Sequence, residues 1–439
     1  MTRHTAADFR YNTGPARIPW TAVGETVKKE DILRLIEFLV PHRKETAAEY
    51  RRHLNTVGKE IEKLWSLGGP VGKLSLGKRV AALEDAVKRF LKCRYACFLT
   101  NATAGFEIAC KFAGLKPGDE VIAPAITFIA TIVYPLEVGA KVVLADVDLR
   151  TLNMDPADVA RKITPRTKVI IPVHMGGYPV DMDPLMKLAE AQDITVIEDA
   201  AHAFGAVYKG RMAGTIGHFG AFSFHEVKNI TALGEGGVLV TNTPFGEHFG
   251  KARFVGLDTA RQIPTWLYDV TALPGKGGLF TAGNHSSTEI QAVCLLSQMA
   301  RMKKIIVARR RAAEYLNKRF AKVPGLVPPP LDSADVKSTH HLYLLQVDTY
   351  KAGGDVQKLK EKLATRGVTN IPHFAPLYKF EIMRQLGYDI AAIQASCPNA
   401  EKVFSHRFTH LPLYDFTKAE LKLLADLVID AAEEMSRSA

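Results

Sequence analysis

Cysteine is scarce. Five residues, Cys93, Cys97, Cys110, Cys294 and Cys397, are scattered over a chain of 439. An odd and scattered set argues against a disulfide framework and for a reducing compartment. Cys93 and Cys97 lie close together, but no second Cys/His pair completes a zinc site, so buried thiols and no metal are expected. Long apolar runs are also missing. The most apolar stretch, 121–136, is shorter than a membrane span and is interrupted by Pro124, Thr127, Thr131 and Pro135. The opening segment has no apolar core of the kind a signal peptide needs, so a cytoplasmic protein without a membrane partner is expected. Blocks of like charge, internal repeats, zinc-finger spacings and ribonucleoprotein signatures are absent. That leaves no sequence ground for nucleic-acid binding.

What is present suits a soluble enzyme. Hydrophobic residues make up 47% and charged residues 23%, ordinary values for a globular chain long enough for two domains. The formal net charge of +11 favours anionic ligands. Its densest basic segment, 301–311, interleaves apolar residues at helical spacing and reads as a solvated helix face.

Residues 1–25 are polar, an irregular arm or one that wraps a partner subunit. Helical spacing follows over 28–39 and over 42–67, where Tyr50, Leu54, Val57, Ile61 and Leu64 recur at threes and fours. Gly68, Gly69 and Pro70 stop it. After a helix over 80–91 the texture changes to short apolar runs, at 96–100, 120–123, 141–145, 168–172, 195–198, 219–224 and 238–241, alternating with helical patterns at 103–112, 128–137 and 182–191. This predicts an α/β fold with a mostly parallel central sheet flanked by helices. A long helix over 289–318 leads out of it. The remainder predicts a smaller α+β domain with strands at 341–347 and 368–374 and helices at 356–366 and 418–436. The expected division is an N-terminal arm with a helical segment (1–70), a large cofactor-binding domain (71–297) and a small C-terminal domain (298–439).

Parallel sheets bind ligands at the carboxyl ends of their strands, so the residues just past each strand carry the argument. They are Asn101 to Gly105, Thr127 and Phe128, His174, Asp199 and His202, and the stretch FSFHEVKNITALGEGG at 222–237, which delivers Lys228 into a glycine-rich loop. Thr103 and Ala104 would present backbone N–H groups at a helix N-terminus, a ready anion site. Ser223 adds a hydroxyl and Phe128 a flat face. Asp199 sits among Val196, Ile197, Ala200 and Ala201, and a buried carboxylate needs a cationic partner. Lys228, if desolvated, can attack a carbonyl. Taken singly, each has a plain structural alternative: a capping carboxylate, a core ring, a satisfied histidine, a loop lysine. Together and in this order they are the parts that hold pyridoxal 5′-phosphate, with Lys228 bonded to its aldehyde and Asp199 keeping its ring nitrogen protonated.

The same segments resemble the DegT/StrS-type aminotransferases, a branch of the fold-type I pyridoxal phosphate enzymes that acts mainly on keto-sugars. The matching stretches are NATAG at 101–105, Thr127-Phe128 to Thr131, PVHMGGYPVDM at 172–182 and EDAAHAFG at 198–205. They continue through the lysine motif from Ser223 to Gly237, AGNHSSTEIQAV at 282–293, HFAPLY at 373–378 and Leu411-Pro412-Leu413. The resemblance implies Lys228, Asp199 and His202 as catalytic residues. It implies a cofactor set of Asn101, Ala102, Thr103, Ala104, Phe128, Asp199, His202, Ser223, Lys228, Asn229 and Asn284, the last reaching across a homodimer interface. His174, His341, His373 and Tyr378 stand as substrate-binding candidates. Asn101-Ala102 replaces the usual Ser-Gly, Ser286 and Ser287 replace Arg-Met, and Tyr378 replaces a common histidine. The 42–67 segment resembles an insertion that covers the site entrance, enlarges the dimer contact or decorates the surface. The implied activity is transfer of an amino group from glutamate or glutamine to a keto-sugar, expected to be nucleotide-linked, in amino-sugar biosynthesis. The family's dehydratases carry histidine in place of the lysine, so Lys228 favours transamination. A cofactor-binding regulator without catalysis is the reading from a different class, and the absence of a DNA-reading motif weighs against it.

Overall fold

A computed structural model describes residues 27–68, 73–261, 263, 268–371 and 373–437. The expected arm at 1–25, and Gly69 and Pro70 at the end of the helical segment, lie outside the described residues. The chain divides into two compact units, 1–77 and 78–439.

The first unit is a pair of helices, α1 (Lys29–Leu39) and α2 (Ala47–Leu67), the latter entered through a single 3₁₀ turn at Lys44–Thr46. The Asp31 carboxylate accepts from the Lys28 N–H at 2.8 Å and fixes the start of α1. Lys29 and Glu62 pair across the two helices. At Gly58 the helices pack closely enough that an added Cβ would lie 3.2 Å from Leu33 Cδ1. Gly58 is the one buried residue that either helix has.

The second unit opens with α3 (Lys78–Leu91) and is built on a seven-stranded sheet. Its strands are β1 (Tyr95–Leu99), β2 (Glu120–Pro124), β3 (Lys141–Ala145), β4 (Thr167–Ile170), β5 (Thr195–Asp199), β6 (Phe219–Ser223) and β7 (Gly237–Thr241). The spatial order is β1-β7-β6-β5-β4-β2-β3. β7 runs against both of its neighbours, and the remaining neighbouring pairs are parallel. The carboxyl ends of six strands and the start of β7 therefore share one side. Val121, Ile122, Ala123, Val196 and Ile197 are fully buried, as strands covered on both faces require. Alternation sorts the side chains: Phe219 and Ala221 join the core packed around α4 (Ala102–Ala113), while Phe222 and Phe224 join the opposite one with Leu83 and Val87 of α3.

The pattern expected as one helix over 289–318 is two, Glu289–Met299 and Met302–Phe320, because the backbone tightens at Ala300 and Arg301, whose N–H donates to the Gln298 carbonyl at 2.9 Å. No Gly or Pro marks that break. The smaller sheet joins Leu326–Val327, Tyr343–Val347 and Phe408–Leu411, antiparallel. The expected strand at 368–374 is reduced to a single bridge between Ile371 and His410, so Phe408–Leu411 takes the place given to it. Helices Val356–Thr365 and Lys418–Arg437 pack with Phe320, Tyr343 and Leu345 in a separate core.

One close approach governs the site end of the sheet. A Cβ on Gly237 would sit 2.2 Å from the Asn101 carbonyl carbon and 2.5 Å from the Ala102 nitrogen, both backbone atoms. Gly237→Ala is therefore expected to destabilise by about 1–3 kcal/mol or more and to displace the turn that opens α4. Gly250 has open space and an ordinary φ, so Gly250→Ala is expected to be near neutral. Thermal melts of the two variants side by side check this; equal melting points would contradict it.

Candidate active site

The turn after β1 is shaped by Asn101. Its backbone is extended, and its side-chain Oδ1 accepts from the Ala104 N–H at 2.9 Å, capping α4. Ala104 N–H is thus already taken, a correction to its expected place in an anion cradle. The N–H groups of Ala102 and Thr103, in the first turn of α4, have no partner among the described residues and keep the positive end of the helix open.

Asp199 closes β5 and is 5% exposed. Thr131 Oγ1 donates to its Oδ2 at 2.8 Å and the Ala201 N–H to its Oδ1 at 3.1 Å. Thr131 in turn pairs with Oγ1 of Thr127, four residues earlier in the chain, at 3.0 Å. Burial pushes the Asp199 carboxyl above its ordinary value; these hydrogen bonds and the charge of Lys228 oppose the rise without cancelling it. Among the described residues no cation reaches its oxygens within ion-pair distance, so a buried carboxylate stands here awaiting a positive partner.

Lys228 enters through a turn in which its N–H donates to the His225 carbonyl at 2.9 Å. Burial lowers its amine below the ordinary lysine value, and Asp199 recovers part of the loss. A small cavity joins Lys228 to His202, Ser223, Asn229 and His341. Asn229 Oδ1 lies 3.0 Å from His341 Nδ1, and its amide donates to the Thr339 carbonyl at 3.4 Å. Ser223 Oγ accepts from the His225 N–H at 3.3 Å. His202 is buried, its Nδ1 has no partner, and its ring lies 4.6 Å from that of His341. Burial, then the charge of Lys228, holds His202 well below the ordinary imidazole value; burial and His202 do the same to His341. Both are neutral at pH 7.

Phe128 is 56% exposed and tilts against Phe374, with centroids 6.0 Å apart. Phe374 stacks on His202 at 5.9 Å and on His373 at 4.9 Å. Asn284 is exposed; its Oδ1 accepts from the Ser286 N–H at 3.1 Å, and the loop lies beside the end of β1 through a Leu99–Ser286 bridge.

Two candidates do not face a ligand. His174 is fully buried with both ring nitrogens engaged: Nδ1 accepts from the Val180 N–H at 3.0 Å and Nε2 lies 2.9 Å from Glu198 Oε2. Tyr378 is 1% exposed and its hydroxyl donates to Glu401 at 2.7 Å, within the core beneath α5 (Ala130–Glu137). Each expectation as a substrate contact is corrected for the same reason: burial leaves no free donor. The sequence reading also passed over groups that matter here. Thr131 was visible four residues after Thr127, which lies in the bend before α5. Phe374 lay within the HFAPLY stretch with no role given to it, whereas Arg309 and His410 carried no local signal and are brought in by tertiary packing.

A larger cavity of about 700 Å³ lies between β3 and the segment 386–396 and contains none of these residues. The chemistry follows the strand ends, where charged groups converge, and not the larger space. Among the described residues no group of histidines, cysteines and acids could hold a metal ion, and no helix is long and apolar enough to cross a membrane.

A buried carboxylate without a cation, an open helix N-terminus, an orphaned imidazole nitrogen and a desolvated lysine fit a phosphorylated, cationic aromatic aldehyde. Comparison with known proteins points the same way. The DegT/DnrJ/EryC1/StrS aminotransferase family model matches residues 55–427. The spore coat polysaccharide biosynthesis protein SpsC of Bacillus subtilis is 35% identical over 355 residues, covering 78% of this chain and 86% of that protein. Among solved structures, a putative sugar aminotransferase of Streptococcus pneumoniae, Spr1654, in its PMP form superposes with a TM-score of 0.74 at 27% identity, covering 83% of this chain and 94% of that one. The same protein is also known in a PLP form. 3-Amino-5-hydroxybenzoic acid synthase superposes at 0.72 with 29% identity, covering 82% and 91%. The fold is that of the fold-type I aminotransferases, and the chain belongs to the DegT/DnrJ/EryC1/StrS family as a pyridoxal phosphate-dependent aminotransferase.

Proposed function

We propose that this aminotransferase moves an amino group from glutamate, or glutamine, to a ketone on a nucleotide-linked sugar, in amino-sugar biosynthesis. The observation that carries the reading is the meeting, at one end of the sheet, of a lysine whose proton affinity burial lowers and a carboxylate sealed from water. The net charge of +11 suits an anionic donor and a phosphorylated acceptor. The names of the relatives, a polysaccharide biosynthesis protein and a sugar aminotransferase, support the substrate class.

In this reading the open N–H groups of Ala102 and Thr103, with the Ser223 hydroxyl, receive the cofactor phosphate. Asn101 holds that turn in shape. Phe128 covers one face of the ring and His202 lies beside its substituents. Pyridoxal phosphate, when bound, supplies an electron sink for the charge left at the donor α-carbon. Asp199 keeps a proton on the ring nitrogen, and Thr131 and Ala201 hold its carboxylate in register. Lys228 Nζ carries the proton between the donor α-carbon and the cofactor. His341 and His373 face the substrate side. Two copies would share their sites, Asn284 of each serving the other. Residues 71–297 are assigned to cofactor binding and 298–439 to the smaller domain.

Three measurements test this. The purified, cofactor-loaded protein is expected to show an absorbance band at about 410–430 nm that glutamate bleaches. Single-turnover recovery of the band with a panel of keto-sugars, free, phosphorylated and nucleotide-linked, identifies the acceptor; recovery with none of them would reject the substrate class. Lys228→Ala should lower the rate by roughly 10²–10⁴-fold or more, and turnover at the original rate would reject the assignment of Lys228.

Asp199 also makes a stability prediction. Its folded-state value lies above the ordinary 3.8, so its contribution is complete below that pH and is lost as pH rises toward the folded value. In the cofactor-free protein, Asp199→Asn should therefore be more stable than the parent at pH 7, with the difference vanishing below about pH 3.8. Adding pyridoxal phosphate should reverse the order, because only the carboxylate balances a protonated ring nitrogen. Melting curves across pH, with and without cofactor, decide it.

A further inference from the structure

The turn that opens α4 is fastened from outside by a residue to which no role has yet been given. His285 lies in the loop 281–288, ahead of the helix Glu289–Met299. Its carbonyl accepts from the Thr100 N–H at 3.0 Å, just before the first turn of α4. Its own N–H donates to the Arg253 carbonyl at 2.8 Å. Arg253 is braced in turn: its Nη1 donates to Glu84 and, at 3.3 Å, to the Phe98 carbonyl of β1. Ser286 bridges Leu99, so the backbone of this loop runs along the end of β1.

The ring of His285 makes a second attachment, to α4 itself. Its Nε2 is buried and lies 3.4 Å from Oε1 of Glu107, one turn beyond Thr103. The two atoms are not aligned for a hydrogen bond, so the contact is that of a carboxylate charge with the polar edge of an imidazole. Lys111 Nζ also donates to Glu107, at 2.6 Å. His285 foremost, and then Lys111, hold the Glu107 carboxyl down at about 2, against the burial that would raise it. Glu107 is therefore ionised at neutral pH. Gly283 leaves room for the ring: a Cβ there would stand 2.9 Å from His285 Nε2 and 3.3 Å from its Cε1.

One residue thus grips α4 at two levels. Its main chain holds the backbone just before the free N–H groups of Ala102 and Thr103, and its side chain holds the helix one turn after them. A helix end with unpaired donors frays unless something fixes it. Asn101 shapes this turn from within, and His285 ties it to the sheet from without.

We infer that His285 is a positioning residue for the cofactor phosphate, with Glu107 and Gly283 setting the place of its ring. The inference rests on the phosphate reading above and deepens it. His285 touches no phosphate oxygen in this account. It acts by keeping the N–H groups of Ala102 and Thr103 aimed at one point, as donors that meet a fixed anion must be.

The test compares two aldehydes, pyridoxal phosphate and pyridoxal, which lacks the phosphate. Dissociation constants for both are measured by titrating the full-length, cofactor-free protein and following its absorbance. His285→Ala keeps the backbone bond to Thr100 and loses only the ring contact. It is expected to weaken pyridoxal phosphate roughly 10-fold, as impaired hydrogen bonds to a charged group do, and to leave pyridoxal unchanged. His285→Gln, which returns an N–H near the place of Nε2, should recover part of the loss. Gly283→Ala, which pushes the ring off Glu107, should resemble His285→Ala. Added to His285→Ala it should cost nothing further, since the ring it would strike is gone. Thermal melts establish that each variant is folded. A folded His285→Ala that keeps the parent's full preference for the phosphate ester overturns the inference, and so does a loss shared equally by both aldehydes, which means general loosening. If His285→Ala does not fold, Gly283→Ala decides, and the parental preference in that variant overturns the inference. A parent that holds pyridoxal as tightly as pyridoxal phosphate defeats the phosphate reading itself, and the inference with it.

Discussion

A carboxylate buried at the end of β5 has to be held against its own tendency to take up a proton. Asp199 receives two hydrogen bonds, from the Thr131 hydroxyl and the Ala201 N–H, and feels the charge of Lys228. These fall short of what burial costs, so the group is poised for a cation that the chain does not itself provide. The protonated ring nitrogen of pyridoxal phosphate is such a cation. Lys228 is under the complementary constraint: the same dry surroundings favour its neutral, nucleophilic form, and full pairing with Asp199 would undo that. Keeping the two groups near each other, yet out of ion-pair contact, is the condition on which the rest of the site depends.

The neighbouring residue supplies the rigidity. Glu198 precedes Asp199, so on a strand its side chain points to the opposite face. It is fully buried and accepts from the N–H groups of Gly214, Ile216 and Gly217 at 2.7, 2.6 and 2.6 Å, with His174 Nε2 at 2.9 Å completing the set. One carboxylate thereby ties the loop after β4 and the turn before β6 to β5. This explains why His174, conspicuous at a strand end, serves the scaffold: its two nitrogens bridge Glu198 and the backbone of Val180. Adjacent acids on one strand do different work because alternation sends them to different environments.

The strand pattern was legible because each strand is a short apolar run between turn residues, and β3 falls at the residues expected for it. The helix over 182–191 was equally clear, since its apolar spacing and its start after Asp181 agree. The break at Ala300–Arg301 was not, because it comes from a backbone adjustment with no Gly or Pro to announce it. The stretch 368–374 has strand-like composition but only one residue, Ile371, finds a ladder partner. Composition shows a preference for extended backbone; pairing depends on what lies alongside.

The sequence by itself determined the succession of strands and helices through the central sheet, and it determined which residues stand at or just past the strand ends: Asn101, Thr127, Asp199, Ser223 and Lys228. It could do so because local periodicity and the direction of parallel strands depend on neighbours along the chain. Only the tertiary structure decided which of these side chains stay open to a ligand. Asn101 turns inward to cap its own helix, His174 is consumed by Glu198 and Tyr378 by Glu401, while His410 and Arg309, remote in sequence, arrive beside the site. Whether a polar atom remains free depends on every group within hydrogen-bond reach of it in space, and that set is fixed only when distant segments pack.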